Sequence, residues 1–189
     1  MSTLSVDRTQ TRHYGDDHGR YWSVSQVCDV VAGKNEFYAP GASERGTDVH
    51  TIFALAVGHS VGWCEAPDVP EAYAGYYRGI LRWIEAVKPQ PMMLERSLKH
   101  KTLGYAGTPD YVGMIGQDFG VLDLKTGQPA KWHVMQVRAY KELVHEAKKM
   151  WVLYLSDDGT YRQTTVKSEP RDWAAFQNGI SILNWRESA

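Results

Sequence analysis

The sequence predicts an α/β (α+β) domain on three observations. Apolar residues recur with helical spacing in the first half of the chain, at Val49, Ile52, Phe53, Ala56 and Val57, and again at Tyr73, Tyr76, Tyr77, Ile80, Ile84 and Val87. Short strand-like runs bounded by turn residues then follow at 92–98, 111–115 and 119–124. A last pair of such runs, 150–155 and 161–167, frames the turn Asp157-Asp158-Gly159-Thr160. The predicted order is helices, three strands, a helix, two strands and a helix.

Each element has a local reason. Residues 1–20 are polar and weakly patterned, and are expected to form a flexible arm ahead of a single domain over 21–189. Ser23 and Gln26 form a capping box before Val27, Val30 and Val31, and Gly33 can close that helix. Ser43 is the expected start of the next helix and Gly58 its end. Pro89 and Pro91 stop the one after. Gly116-Gln117-Asp118 is turn chemistry between two strands. Residues 131–149 read as helical, and Ser168 is the expected cap of a last helix carrying Trp173, Phe176, Ile180 and Leu183.

Bulk properties narrow the function. A chain of 189 residues supports one sizeable core. With 43% hydrophobic and 23% charged residues it reads as globular. The net charge of −1 counts mildly against a nucleic-acid binder, although local basic strips can still hold phosphates. Two cysteines, Cys28 and Cys64, can build neither a four-thiolate cluster nor a disulfide framework, and imply a reduced compartment. No membrane span or leader is evident, so a cytoplasmic protein is expected.

The chemistry concentrates in two short segments. Asp110 ends Gly107-Thr108-Pro109-Asp110 and opens a strand; Asp123 and Lys125 lie on one face of the next, with Leu122 and Leu124 on the other. If the two strands form a hairpin, the two acids converge at its open end. Two carboxylates alone repel, and a divalent cation with oxygen ligands, Mg²⁺ or Mn²⁺, resolves the conflict. An Asp-x-Lys triplet by itself is most often a strand-end salt bridge; the Gly-x-Pro-Asp segment thirteen residues upstream shifts the reading toward a site. His50 lies on a helix one turn after Gly46, a residue that costs up to about 1 kcal/mol there and leaves bare backbone for close approach. Gln136 and Tyr140 are one turn apart on a later helix.

The ordered set Gly46-x-x-x-His50, Glu95, Gly107-x-Pro-Asp110, Asp123-x-Lys125 and Gln136-x-x-x-Tyr140 resembles the PD-(D/E)XK nuclease superfamily in its RecB-like branch. The resemblance spans residues 23–155, and Ser23-Val24-Ser25-Gln26-Val27 resembles the opening of small phage and bacterial members. It implies a restriction-endonuclease-like core, a central mixed β-sheet flanked by helices, with one extra helix at 71–88. It also implies that Asp110 and Asp123 bind metal together with His50 and the Leu124 carbonyl, and that Lys125 is catalytic. Gln136 and Tyr140 would lie near DNA, while Glu95 matches an acid of unassigned role. Asp123 stands where many relatives have Glu, and the four cysteines of the iron–sulfur relatives, among them the CRISPR-adaptation nucleases, are absent, so no iron–sulfur cluster is expected.

The implied activity is divalent-metal-dependent hydrolysis of DNA by an exonuclease of recombination, repair or phage DNA processing, in a bacterial cell or phage-infected host. Arg96, Lys99 and Lys101 are expected to contact the DNA backbone, with a recombination partner or a second copy of the chain as possible associates. Tyr76, Tyr77, Trp83, Trp151 and Trp173 could stack on bases, but helical spacing favours core packing for the first three, and the two later tryptophans read the same way. The alternatives are an endonuclease of the same fold, a DNA-binding module that does not cut, and a hydrolase of small phosphoesters.

Overall fold

A computed structural model describes residues 5–7, 13–17, 19–33 and 42–188. Its centre is a five-stranded mixed sheet in the order β10 (Tyr161–Thr165), β9 (Lys149–Leu155), β8 (Asp118–Lys125), β7 (Tyr111–Ile115) and β4 (Gln90–Leu94). The β7–β8 hairpin turns at Gly116-Gln117 as the sequence predicts, and its register pairs Tyr111 with Leu122. β8 and β9 are parallel, with Asp123 beside Val152. The crossover between them carries α4 (Lys131–Leu143), because parallel neighbours cannot be joined by a tight turn.

Helices cover both faces. Leu122 and Leu124 of β8 pack with α2 (Ala42–Ser60) and α3 (Ala74–Val87) through Val49, Phe53, Ile80 and Trp83. Val121 packs on the other face with α1 (Val24–Ala32), α4 and α5 (Pro170–Glu187) through Val27, Val137 and Phe176. Strand alternation thus sends Asp123 and Lys125 toward α4. Tyr76, Trp83 and Trp151 are buried, Trp83 fully, with its indole N–H donating to Gln163 at 2.6 Å, which is the core packing expected of them.

A second sheet, β1 (Ser5–Asp7), β2 (His13–Asp16), β3 (Gly19–Ser23), β6 (Tyr105–Gly107) and β5 (Leu98–Lys99), differs from the expected layout. The run expected at 92–98 divides between the two sheets. Part of segment 1–20, expected as an arm, supplies strands, and Tyr14 is buried at 2% exposure. Its hydroxyl meets the Thr108 hydroxyl at 2.9 Å, so the polar composition around it conceals one anchor.

Helix ends follow side-chain chemistry. The Ser23–Gln26 capping box has both arms, at 3.0 and 2.9 Å, and Gly33 closes α1 at φ 62°. The cap of α5 is Glu169, one residue beyond the expected Ser168, because Asp172 Oδ2 accepts the Glu169 N–H at 2.7 Å and Pro170 sits at the first helical position. α4 ends at Leu143, short of the expected 149. No helix among the described residues is long and apolar enough to cross a membrane.

Candidate active site

The hairpin register puts Asp110, one residue before Tyr111, opposite Asp123, one residue after Leu122. Both acids are buried, at 2% and 1% exposure. Asp110 Oδ2 accepts the Leu124 N–H at 2.5 Å, which ties the start of β7 to the end of β8. Its Oδ1 lies 2.8 Å from His50 Nδ1 of α2. Glu95 adopts φ 48° just after β4, its N–H donates to the Asp110 carbonyl at 3.3 Å, and its carboxylate comes within 3.8 Å of His50. His50, Glu95 and Asp110 therefore offer ligand atoms all within 4.8 Å of one another.

Asp123 is not one of that trio. Its Oδ2 is 2.7 Å from Lys125 Nζ and makes no hydrogen bond of good geometry. Lys125 in turn lies over the Trp132 ring, 5.2 Å from its centroid. Burial pushes both carboxyls above the usual carboxylate range; His50 pulls Asp110 back down, and Lys125 does the same for Asp123. Burial alone would lower His50, but the charge and hydrogen bond of Asp110, with help from Glu95, raise it to about 10. The half-buried His50 and Glu95 meeting the buried Asp110, with the buried Asp123 across the hairpin, suit a hard divalent cation, which relieves the burial of like charges. The residues present fit such an ion.

The other expected residues fall in distinct places. Gln136 and Tyr140 are buried on α4, at 5% and 4% exposure, and Gln136 Nε2 donates to the Tyr140 hydroxyl at 3.1 Å. Burial first, then the charges of Asp123 and Asp110, holds that hydroxyl well above its usual value. Lys99 is paired with Asp16 and reaches the Tyr21 hydroxyl at 3.3 Å, which commits it to the second sheet. Arg96 and Lys101 are exposed. Gly46 faces open space, with nothing for a Cβ to meet within 4 Å.

Sequence reading left two supports out. A hydroxyl chain joins Tyr14 to Thr108 at 2.9 Å and Thr108 to Ser97 at 2.9 Å, bracing the loop that carries Asp110; only the threonine within Gly107-Thr108-Pro109 signalled it. Trp132 supports Lys125, and its place at the start of the helix after Lys125 was the available signal.

No protein family and no curated protein matches the chain in sequence. Among solved structures it is similar to an alkaline exonuclease, LHK-Exo from Laribacter hongkongensis, at TM-score 0.51 and 15% identity over 88% of this chain and 87% of that one. LHK-Exo in complex with dAMP aligns at TM-score 0.49 and 16% identity over the same shares, 88% and 87%. SSO0001 aligns at TM-score 0.43 and 15% identity, over 85% of this chain and 75% of that one. At these identities a likeness speaks to architecture alone. The chain shares the mixed α/β, restriction-endonuclease-like fold of an alkaline exonuclease.

Proposed function

We propose that this protein is a divalent-metal-dependent DNA nuclease of the PD-(D/E)XK superfamily, RecB-like branch, working as an exonuclease in DNA recombination, repair or phage DNA processing. The observation that carries the reading is the convergence of His50, Glu95 and Asp110 beside the buried Asp123–Lys125 pair at the open end of one hairpin. The fold shared with an exonuclease supports it.

Asp110, Asp123, Glu95 and His50 would hold Mg²⁺ or Mn²⁺, with the Leu124 carbonyl close by in sequence. When bound, the ion acidifies water and offsets charge on the phosphate. Lys125 supplies an ammonium beside the acids: paired with Asp123 at 2.7 Å, it would turn to a phosphate oxygen or orient the attacking water. Asp110 fixes the cluster, because its two oxygens are held by different elements, β8 through Leu124 and α2 through His50. Tyr140 and Gln136, buried and hydrogen-bonded to each other on α4, stiffen the helix face toward which Asp123 points.

The test compares wild type with Lys125→Ala on closed circular plasmid and on linear end-labelled DNA, with Mg²⁺, Mn²⁺ or EDTA. Metal-dependent loss of linear DNA by wild type and a drop of about a hundredfold or more in the variant are expected. Equal degradation by both proteins, or none by wild type with any metal, ends the reading. Cutting of circles would reassign it to an endonuclease.

A further inference from the structure

A groove of about 520 Å³ opens where the last turn of α1 meets the first turns of α4 and α5. Its volume is that of a ligand site, about 300–1,000 Å³. Val31, Met135, Ala175 and the Trp132 ring make it apolar, and Lys131 and Arg171 bring two cations to it. Asp172 also borders it, but that carboxylate is engaged at the helix start by the Glu169 N–H at 2.7 Å. Arg171 is paired with Glu169 at 2.8 Å, with both side chains largely exposed, and such pairs hold their partners weakly. Its guanidinium is free to turn to another anion.

Trp132 connects this groove to the acid cluster. The same indole that lines the groove lies under Lys125 Nζ. An aromatic wall and apolar floor suit the face of a base, and cations at the margin suit phosphates. A purely apolar partner would have no use for Lys131 and Arg171, and a free anion none for Met135 and Val31. We propose that the groove binds an unpaired nucleotide of the DNA strand next to the scissile phosphate. The base lies against Trp132 and Met135, and Lys131 and Arg171 take the phosphates. The proposal rests on the nuclease reading of the adjoining site and adds a single-stranded subsite to it.

The test is fluorescence anisotropy of a labelled single-stranded 12-mer in EDTA, where binding is read without cutting. Wild type is compared with the double variant Lys131→Glu/Arg171→Glu, with Trp132→Leu, and with Arg78→Glu, an exposed charge reversal on α3 across the sheet. The double variant should bind at least about tenfold more weakly, with a salt dependence shallower by about 1.4 in log–log slope for two lost single-strand phosphate contacts. Trp132→Leu should lose about fivefold or more through stacking, and Arg78→Glu should bind like wild type. Binding by the double variant within twofold of wild type, an equal loss in Arg78→Glu, or no measurable binding by wild type overturns the proposal. The two readings fail separately. A wild type that binds through the groove yet fails to cut with any metal tried ends only the nuclease reading, and a wild type that cuts while the double variant binds normally ends only the subsite.

Discussion

Substituting Gly107 by alanine tests how tightly the site depends on its packing. Gly107 ends β6, and a Cβ there would stand 2.7 Å from Tyr140 Cε1 and 2.7 Å from Val24 Cγ2. Carbon atoms pack best at about 3.5–4.0 Å, so each neighbour would have to retreat by about 1 Å. Val24 is 1% exposed in the first turn of α1, pinned by the Ser23–Gln26 cap, so the Tyr140 ring must yield most. Overpacking of this kind costs about 1–3 kcal/mol. For a chain of this size that lowers Tm by about 2–12 °C. Because the charges of Asp123 and Asp110 reach the Tyr140 hydroxyl, a displaced ring should disturb them, and kcat on linear DNA at 25 °C should also fall, by about tenfold to a hundredfold. Thermal denaturation followed by circular dichroism and a cleavage assay below the transition measure both. An unchanged Tm would refute the packing argument, and a lowered Tm with unchanged kcat would detach Tyr140 from the acids.

Mn²⁺ at about a hundred times its Kd should stabilise the protein by about 2.7 kcal/mol, a rise of about 5–11 °C in Tm, and Asp110→Asn or His50→Ala should remove most of that rise; calorimetric titration checks the affinity directly. Thr108→Val keeps the shape but strips the partner shared by Tyr14 and Ser97, leaving the buried Tyr14 hydroxyl unsatisfied at a cost of about 1–3 kcal/mol, read as a lower urea midpoint. Burial, with His145 nearby, lowers the His100 imidazole, whose Nδ1 accepts the N–H groups of Thr102 at 3.3 Å and Leu103 at 3.2 Å. With the folded value depressed, the folded protein binds fewer protons than the unfolded chain. The stability contributed by His100 is therefore present above about pH 6.5 and lost as pH falls through its folded pKa. His100→Asn should flatten the acid limb of a urea-midpoint profile, and a limb identical to wild type would remove His100 from it.

Legibility in the sequence tracked the range of the interaction. The β7–β8 hairpin was readable because the turn residues and the alternation at Leu122, Asp123, Leu124 and Lys125 are local, and the same register brings Asp110 opposite Asp123. The α1 cap was readable for the same reason. The second sheet was not, since its parallel pairing sets Trp22 beside Tyr105, far apart in the chain and with no turn to announce it. Glu95 reaches His50 through a backbone at φ 48°, a conformation that no side-chain pattern encodes. Lys99 read as part of a basic run, yet its partner Asp16 comes from a segment of polar residues that looked unstructured.

The candidate ligands come from opposite sides of the central sheet. His50 belongs to the α2 layer, while Asp123 points to the α4 layer, and each layer has its own hydrophobic cluster. Neither layer owns a complete set of ligands. A chain that has docked only one of them has no centre to load, so metal affinity is also a gauge of how much of the protein has folded.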